Sequence, residues 1–278
     1  MSRDESDLWY EIRGEGTPIV FLHGWGADHR DESLQYEPVF AERPGWSRLY
    51  LDLPGMGQTP VVESIDTLDR YLDVLLRFLD RVLAGRRFVL AGTSAGAYLA
   101  RGILFHRSRL MDGLLLKVPV TEPDLAKRNV PPFEPLVADP ELMGGLDPEE
   151  RTALGEVLVQ SPSYIDALRR KVGDLMQPAE QIANNVRLEA LRQDARRYTF
   201  SVDVDALPAP FAAPTLIVCG RQDTIVGYRD AWRIVENFPR ATFAILDRAG
   251  HGLLVDRPQL YHALVHDWLD RIEEARRQ

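Results

Sequence analysis

Apolar residues in this chain fall into short unbroken runs, and between the runs lie stretches with three- and four-residue periodicity. Runs starting at Pro18 (PIVFLHGWG), Arg48 (RLYLDLPGMG), Arg87 (RFVLAGTSAG) and Thr215 (TLIVCGRQD) each end in a turn containing Gly, Pro or Asp. Such runs predict strands buried on both faces of a parallel sheet. LLLKVP near Leu114 and TFAIL near Thr242 predict two more, and LWYEIRGEG near the start predicts an edge hairpin strand. Ile65, Leu68, Leu72, Leu75, Leu76, Leu79, Val82 and Leu83 recur at helical spacing, with Asp69, Asp73, Arg77 and Asp80 between them. This is the pattern of a helix covering one sheet face. A second helix is predicted from just after Ser94, and a third closes the chain with Leu260, Leu264, Trp268, Leu269 and Ile272 on its apolar side. Strand, crossover helix, strand is the doubly wound α/β scheme.

From about Val120 to Leu207 the rhythm breaks. Prolines crowd the first part (VPVTEPD, VPPFEPLVADP), and charged helical stretches such as PSYIDALRRKV and PAEQIANNVRLEALRQ follow. This segment predicts a mostly helical insertion, 120–207, over the C-terminal edge of the sheet, with 1–119 and 208–278 forming the two parts of the core. Phe133, Leu142, Met143, Leu158 and Tyr164 are apolar members of the insertion and fit its own small core better than a pocket lining.

Composition adds limits. The 278 residues, 45% of them hydrophobic, suffice for one large core, and 42 acidic against 33 basic residues leave a net charge of −9. That sign gives no general attraction to nucleic acid or anionic membrane. Cys219 is the only cysteine, which excludes an intramolecular disulfide framework and a multi-cysteine zinc site. The start lacks the apolar core of a secretory signal and no run of membrane-spanning length occurs, so no membrane insertion is expected and a cytoplasmic location is compatible.

The candidate chemistry begins at LAGTSAGAYL, where a strand-forming run meets a helical one across GxSxG. A serine on such a sharp turn presents its hydroxyl to solvent, and Gly92 and Gly96 are required because side chains there would collide. LHGWG at Leu22–Gly26 follows the first core strand and turns the backbone toward the same space. The backbone N–H groups of Trp25 and Ala95 are therefore the expected oxyanion donors. His23 in that turn is expected to be a structural brace.

An alkyl alcohol needs a base that titrates near neutrality, which usually means imidazole. Of the six histidines, His29 lies in a charged loop and His106, His262 and His266 lie in helices, whereas His251 sits in a Gly-flanked loop after the last strand. Its expected acceptor is Asp223, just past a buried strand, with Asp247 and Glu122 as rivals. Asp52 is expected to organise its own turn. The order Ser94, Asp223, His251 is that of strand–turn–helix serine hydrolases.

HGWG, DLPGMGQT, GTSAG, GRQD and AGHG, in this order, make the chain resemble the α/β-hydrolase superfamily over almost its full length. The resemblance implies an α/β-hydrolase fold, with a mostly parallel, roughly eight-stranded sheet flanked by helices, and a helical cap over the site. It implies no cofactor and no metal. A small-molecule acyl substrate is expected, cleaved through an acyl-enzyme. Ser94 at the nucleophile position argues against haloalkane and epoxide chemistry, which uses Asp there. Amide or peptide, lactone and carbon–carbon hydrolysis remain open, as does a non-enzymatic ligand receptor on the same scaffold.

Overall fold

The computed structural model describes residues 7–277. Seven strands form one sheet: β1 (Tyr10–Arg13), β2 (Thr17–Leu22), β3 (Trp46–Leu51), β4 (Phe88–Thr93), β5 (Met111–Lys117), β6 (Thr215–Gly220) and β7 (Ala241–Leu246). Their spatial order is β1-β3-β2-β4-β5-β6-β7, and every pair is parallel except β1 with β3. The six parallel-sheet runs read from sequence are all strands. Two expectations need correction. The sheet has seven strands among the described residues where roughly eight were implied, and the first strand pairs at the edge with β3 (Tyr10↔Leu51) instead of forming a hairpin with its neighbour β2.

Strand direction and handedness place the site. From β2 through α1 (His29–Phe40) the chain steps one way to β3, then returns past β2 through α2 (Leu68–Leu83) to β4 and continues through α3 (Ala95–Arg107) to β5. Right-handed crossovers taken in opposite directions put their helices on opposite faces. Accordingly α1 packs with the C-terminal helix α10 (Pro258–Arg277), and α2 packs with α3. The reversal lies between β2 and β4, so the crevice at their C-terminal ends is where an open α/β sheet binds ligands.

Both sequence ends of α2 are locally encoded. Thr67 caps it by accepting from the Arg70 N–H, and Ala84 closes it in the left-handed conformation. Leu68, Leu72, Leu75, Leu79 and Leu83 are buried along one stripe, each contributing about 1.5–3 kcal/mol relative to exposure. In α10 the buried stripe is Tyr261, Val265, Trp268, Leu269 and Ile272, while Leu260 is 39% exposed. Leu260 therefore does not belong to the apolar side as expected; the stripe begins one residue later, at Tyr261.

Between β5 and β6 the chain forms five short α-helices, α4 (Pro140–Gly144), α5 (Pro148–Leu154), α6 (Pro162–Lys171), α7 (Gln177–Ile182) and α8 (Asn185–Gln193), with a π-helical turn, Val172–Met176, joining α6 to α7. Leu154, Val157, Ile165 and Val172 make a separate apolar cluster there, with Leu142, Met143 and Tyr164 packed against it, whereas Phe133 is exposed. No helix among the described residues is long and apolar enough to cross a membrane.

Candidate active site

β4 runs into α3 with Ser94 between them at φ 55, ψ −113, a left-handed conformation that costs a non-glycine residue about 1–3 kcal/mol. Backbone bonds hold it there: the Ser94 N–H donates to the Lys117 carbonyl at 2.9 Å, and the Ser94 carbonyl accepts from Val120 at 3.1 Å and Ala97 at 3.1 Å. A Cβ on Gly92 would lie 2.5 Å from the Gly96 carbonyl oxygen, and one on Gly96 would lie 2.3 Å from that of Leu22. Both glycines are thus required by backbone-to-backbone approach, and Ser94 itself is only 9% exposed.

The turn after β2 lies against this elbow: a Cβ on Gly24 would lie 3.6 Å from Ser94 Cβ. Trp25 follows, its indole N–H donating to the Leu188 carbonyl at 3.1 Å and its ring packed on Tyr71 and edge-on to Tyr198. Ala95 is the first residue of α3, so its amide has no acceptor one turn back within the helix. His23 is fully buried; its Nδ1 meets the Gly24 carbonyl at 2.8 Å and its Nε2 accepts from the Leu53 N–H at 3.0 Å. That pairing demands a neutral imidazole with the proton on Nδ1, and burial lowers its pKa accordingly. His23 is a brace between two loops.

Asp223 follows β6 and is fully buried. Its Oδ1 accepts from the Ile225 N–H at 2.8 Å and the Val226 N–H at 3.0 Å, and its Oδ2 meets His251 Nδ1 at 2.9 Å. Burial pushes its pKa up, but His251 and the two amides outweigh burial and hold it below the ordinary carboxylate value. His251, 30% exposed in its side chain, arrives on the loop after β7. That loop folds back across the end of β6, since a Cβ on Gly220 would lie 2.1 Å from the Gly250 carbonyl oxygen. The rivals are engaged elsewhere: Asp247 is exposed and accepts from Gln222, and Glu122 accepts from the Asp124 amide. Asp223 and His251 are in direct contact; Ser94 shares their sheet edge, with β5 between β4 and β6. No hydrogen bond among the described residues joins Ser94 Oγ to His251.

Sequence reasoning missed several residues around this edge. Asp256, in the short helix α9 (Leu253–Asp256), accepts from the Gly250 N–H at 2.8 Å and from the Tyr164 hydroxyl at 2.5 Å, tying α6 to the His251 loop. Lys117, at the end of β5, is buried with Glu32 of α1 at 3.8 Å and donates to Gln35 Oε1. A lysine inside LLLKVP was the one visible signal of this cluster.

Asp28, His29 and Asp52 bring possible ligand atoms within 4.8 Å of one another. Their lone pairs already face protein donors, however: Asp28 takes the Arg30 guanidinium, and Asp52 takes the His29 and Gln58 amides along with His29 Nδ1. Asp52 organises its turn as expected, and the donor set does not fit a cation.

A model of the alpha/beta hydrolase family matches residues 19–264. The chain is 26% identical over 274 residues to the 2-hydroxy-6-oxononadienedioate/2-hydroxy-6-oxononatrienedioate hydrolase 2 of Pseudomonas putida, covering 94% of this chain and 91% of that one. It is 23% identical to the pimeloyl-[acyl-carrier protein] methyl ester esterase of a Shewanella strain, covering 96% of each. Among solved structures, an alpha/beta superfamily hydrolase from Oenococcus oeni superposes with a TM-score of 0.83 at 26% identity, covering 96% of this chain and 97% of that chain.

Proposed function

The chain belongs to the alpha/beta hydrolase family, and from that premise we propose that it cleaves a carboxylic ester or similar acyl substrate through Ser94, His251 and Asp223. His251 Nε2 takes the proton of Ser94 Oγ as the oxygen attacks the substrate carbonyl. The tetrahedral oxyanion rests on the N–H groups of Trp25 and Ala95. The imidazolium, paired through Nδ1 with Asp223, then protonates the departing alcohol. Water, giving a proton to the same imidazole, attacks the acyl-enzyme, and the imidazolium returns that proton to Ser94 Oγ as the acid is released. Residues 120–207 act as the cap over this site, flanked by the core parts 1–119 and 208–278. The second apolar cluster and the Tyr164–Asp256 tie support that division.

The observation that carries this reading is the hydrogen bond from the buried Asp223 to the half-buried His251 at the same sheet edge as the strained Ser94. A loose nucleophile–base contact is common in ligand-free sites and tightens with substrate. Turnover of p-nitrophenyl acetate and butyrate tests the reading. Ser94→Ala is expected to lose about 10³-fold or more in kcat, since removing one triad member leaves only binding and oxyanion stabilisation. Undiminished turnover removes Ser94 from the mechanism.

The likeness to the P. putida dienedioate hydrolase supports a second reading, hydrolysis of that substrate class by the same three residues. A panel of esters, lactones, arylamides and β-diketones separates the two, with the bond class of highest kcat/KM deciding.

A further inference from the structure

Lys117 ends β5 in a stretch that is otherwise apolar, and it is buried. A lysine in that position has to be met by acceptors, because an unpaired ammonium away from water is among the costliest groups a fold can carry. α1 supplies them: Lys117 Nζ donates to Gln35 Oε1 and lies 3.8 Å from Glu32 Oε1. The Tyr261 ring of α10 lies 5.9 Å from the same nitrogen. Glu32, Gln35 and Tyr261 are buried too. The end of β5 is thus fastened to the helices on that face of the sheet.

The backbone fastened there is the one that grips Ser94. The Lys117 carbonyl accepts the Ser94 N–H at 2.9 Å, and three residues on, the Val120 N–H donates to the Ser94 carbonyl at 3.1 Å. Residues 117–120 therefore hold Ser94 by both of its backbone polar groups. To make that turn Val118 takes φ 40, a conformation that β-branched residues avoid, while its N–H donates to the Val218 carbonyl at 2.8 Å. Two non-glycine residues in contact through this clasp are thus left-handed, and such strain persists only where surrounding contacts over-determine the backbone. Thr93, the residue before Ser94, sits opposite Lys117 in the β4–β5 register and turns its hydroxyl to Glu32. Stability alone does not account for the Lys117–Glu32 pair, since well-packed apolar residues in place of a buried ion pair are often neutral or stabilising.

We propose that Lys117 is a positioning residue for Ser94: anchored by Gln35 and Glu32, it fixes the carbonyl to which the Ser94 N–H is bound, and so fixes the direction in which Ser94 Oγ leaves the elbow. Its side chain acts through the backbone and takes no part in proton transfer. The kinetic consequence rests on the proposed serine-hydrolase reading, whereas the hold on the Ser94 amide does not.

Lys117→Met/Glu32→Gln tests this, since it nearly keeps both side-chain volumes and leaves neither member of the pair as an unpaired charge. With p-nitrophenyl butyrate, kcat is expected to fall about 10- to 100-fold while KM stays within about threefold, the split expected when the nucleophile is misdirected and substrate binding is intact. Lys117→Arg, which keeps a cation for Gln35 and Glu32, is expected to recover a large part of kcat. Hydrogen exchange followed by mass spectrometry supplies the arm that needs no turnover: exchange in the segment 92–99 is expected to quicken about 10-fold in the double variant, with β2 and β6 unchanged. Gln35→Leu, which removes one acceptor and spares the ion pair, is expected to give the same pattern at smaller size, and it decides the matter if the double variant does not fold. Unchanged exchange at 92–99 in a folded variant overturns the proposal, as does wild-type kcat where Ser94→Ala is inactive. So does an impairment of Lys117→Arg equal to that of the double variant, or exchange that rises evenly over the whole sheet, which is the mark of lost stability alone. Full turnover by Ser94→Ala would instead remove the serine-hydrolase reading, and exchange at 92–99 then decides on Lys117 by itself.

Discussion

Asp223 and Glu32 are both carboxylates at the C-terminal edge of the sheet, 0% and 1% exposed, and they differ in what surrounds them. Asp223 has two amides on one oxygen and His251 on the other, and its pKa lies below the ordinary value despite burial. Among the described residues no hydrogen bond of ordinary geometry reaches either oxygen of Glu32; its nearest cation, Lys117, is 3.8 Å away, and burial, helped by Asp31, pushes its pKa up to about 7 against the pull of that lysine and of the Thr93 hydroxyl. Burial acts on both in the same direction, and aimed donors decide which one stays ionised. A carboxylate that must support an imidazolium is therefore recognised by its donors and not by its depth.

The largest effect is expected from Asp223→Asn, which keeps the shape and removes the charge under His251. An amide can donate to Nδ1 and so favours the wrong tautomer, and ester turnover should fall by about 10³- to 10⁴-fold with the melting temperature much less affected. Full activity moves the acid role elsewhere and ends the contrast.

Glu32→Gln probes the other carboxylate through pH. The native state holds the Glu32 proton up to about pH 7, whereas the unfolded chain releases it near the ordinary glutamate value of 4.5. The native state therefore binds more protons across that window, and Glu32 contributes stability below it that is lost as pH rises through it, amounting to about 3 kcal/mol in all. Asp223 has the opposite sign: its contribution is present above the unfolded carboxylate value and is lost as pH falls. Denaturant titrations between pH 4.5 and 7.5 should show the wild-type decline flattened in Glu32→Gln. An unchanged slope assigns the decline to other groups.

Asp256 is intermediate, with burial raising its pKa and the Tyr164 hydroxyl, the Gly250 amide and Lys171 opposing that. Tyr164→Phe removes one of its donors and the link between α6 and the His251 loop, and a loss of about 1–2 kcal/mol in stability is expected from chemical denaturation. The smallest change belongs to Thr93→Val. The Thr93 hydroxyl faces Glu32 and weakly opposes the rise in its pKa, without a hydrogen bond of ordinary geometry, so its replacement by a methyl group should leave stability within about 1 kcal/mol of wild type. A larger loss in a thermal melt would mean that this hydroxyl has a partner on the Glu32 side.

Much of the fold was legible because its signals are short-range. A buried parallel strand is a run of apolar residues closed by turn formers, and six such runs became β2 to β7. The elbow was legible for the same reason, since Gly92 and Gly96 are demanded by contacts within a few residues and with β2. The stripe of α10 was misplaced by one position at Leu260. In a helix with apolar residues at both Leu260 and Tyr261, periodicity alone cannot show which faces the sheet, and the Tyr261 hydroxyl, paired with Tyr36 of α1, identifies the buried one. The pairing of the first strand was also misjudged, because a strand followed by a Gly-containing turn reads as a hairpin, whereas its unpaired edge found β3.

The sequence by itself determined the strand runs, the turn residues that close them, and the order in which a serine, a carboxylate and an imidazole leave the C-terminal ends of the strands. Tertiary structure decided that Asp223, and neither Asp247 nor Glu122, meets His251, and that Lys117 and Glu32 share a buried site. The physical reason is range. Secondary structure and turns are set by neighbours a few residues apart, but the charge state and role of a buried side chain depend on donors supplied from distant segments, and those are fixed only when the strand order and crossover handedness bring the segments to one edge.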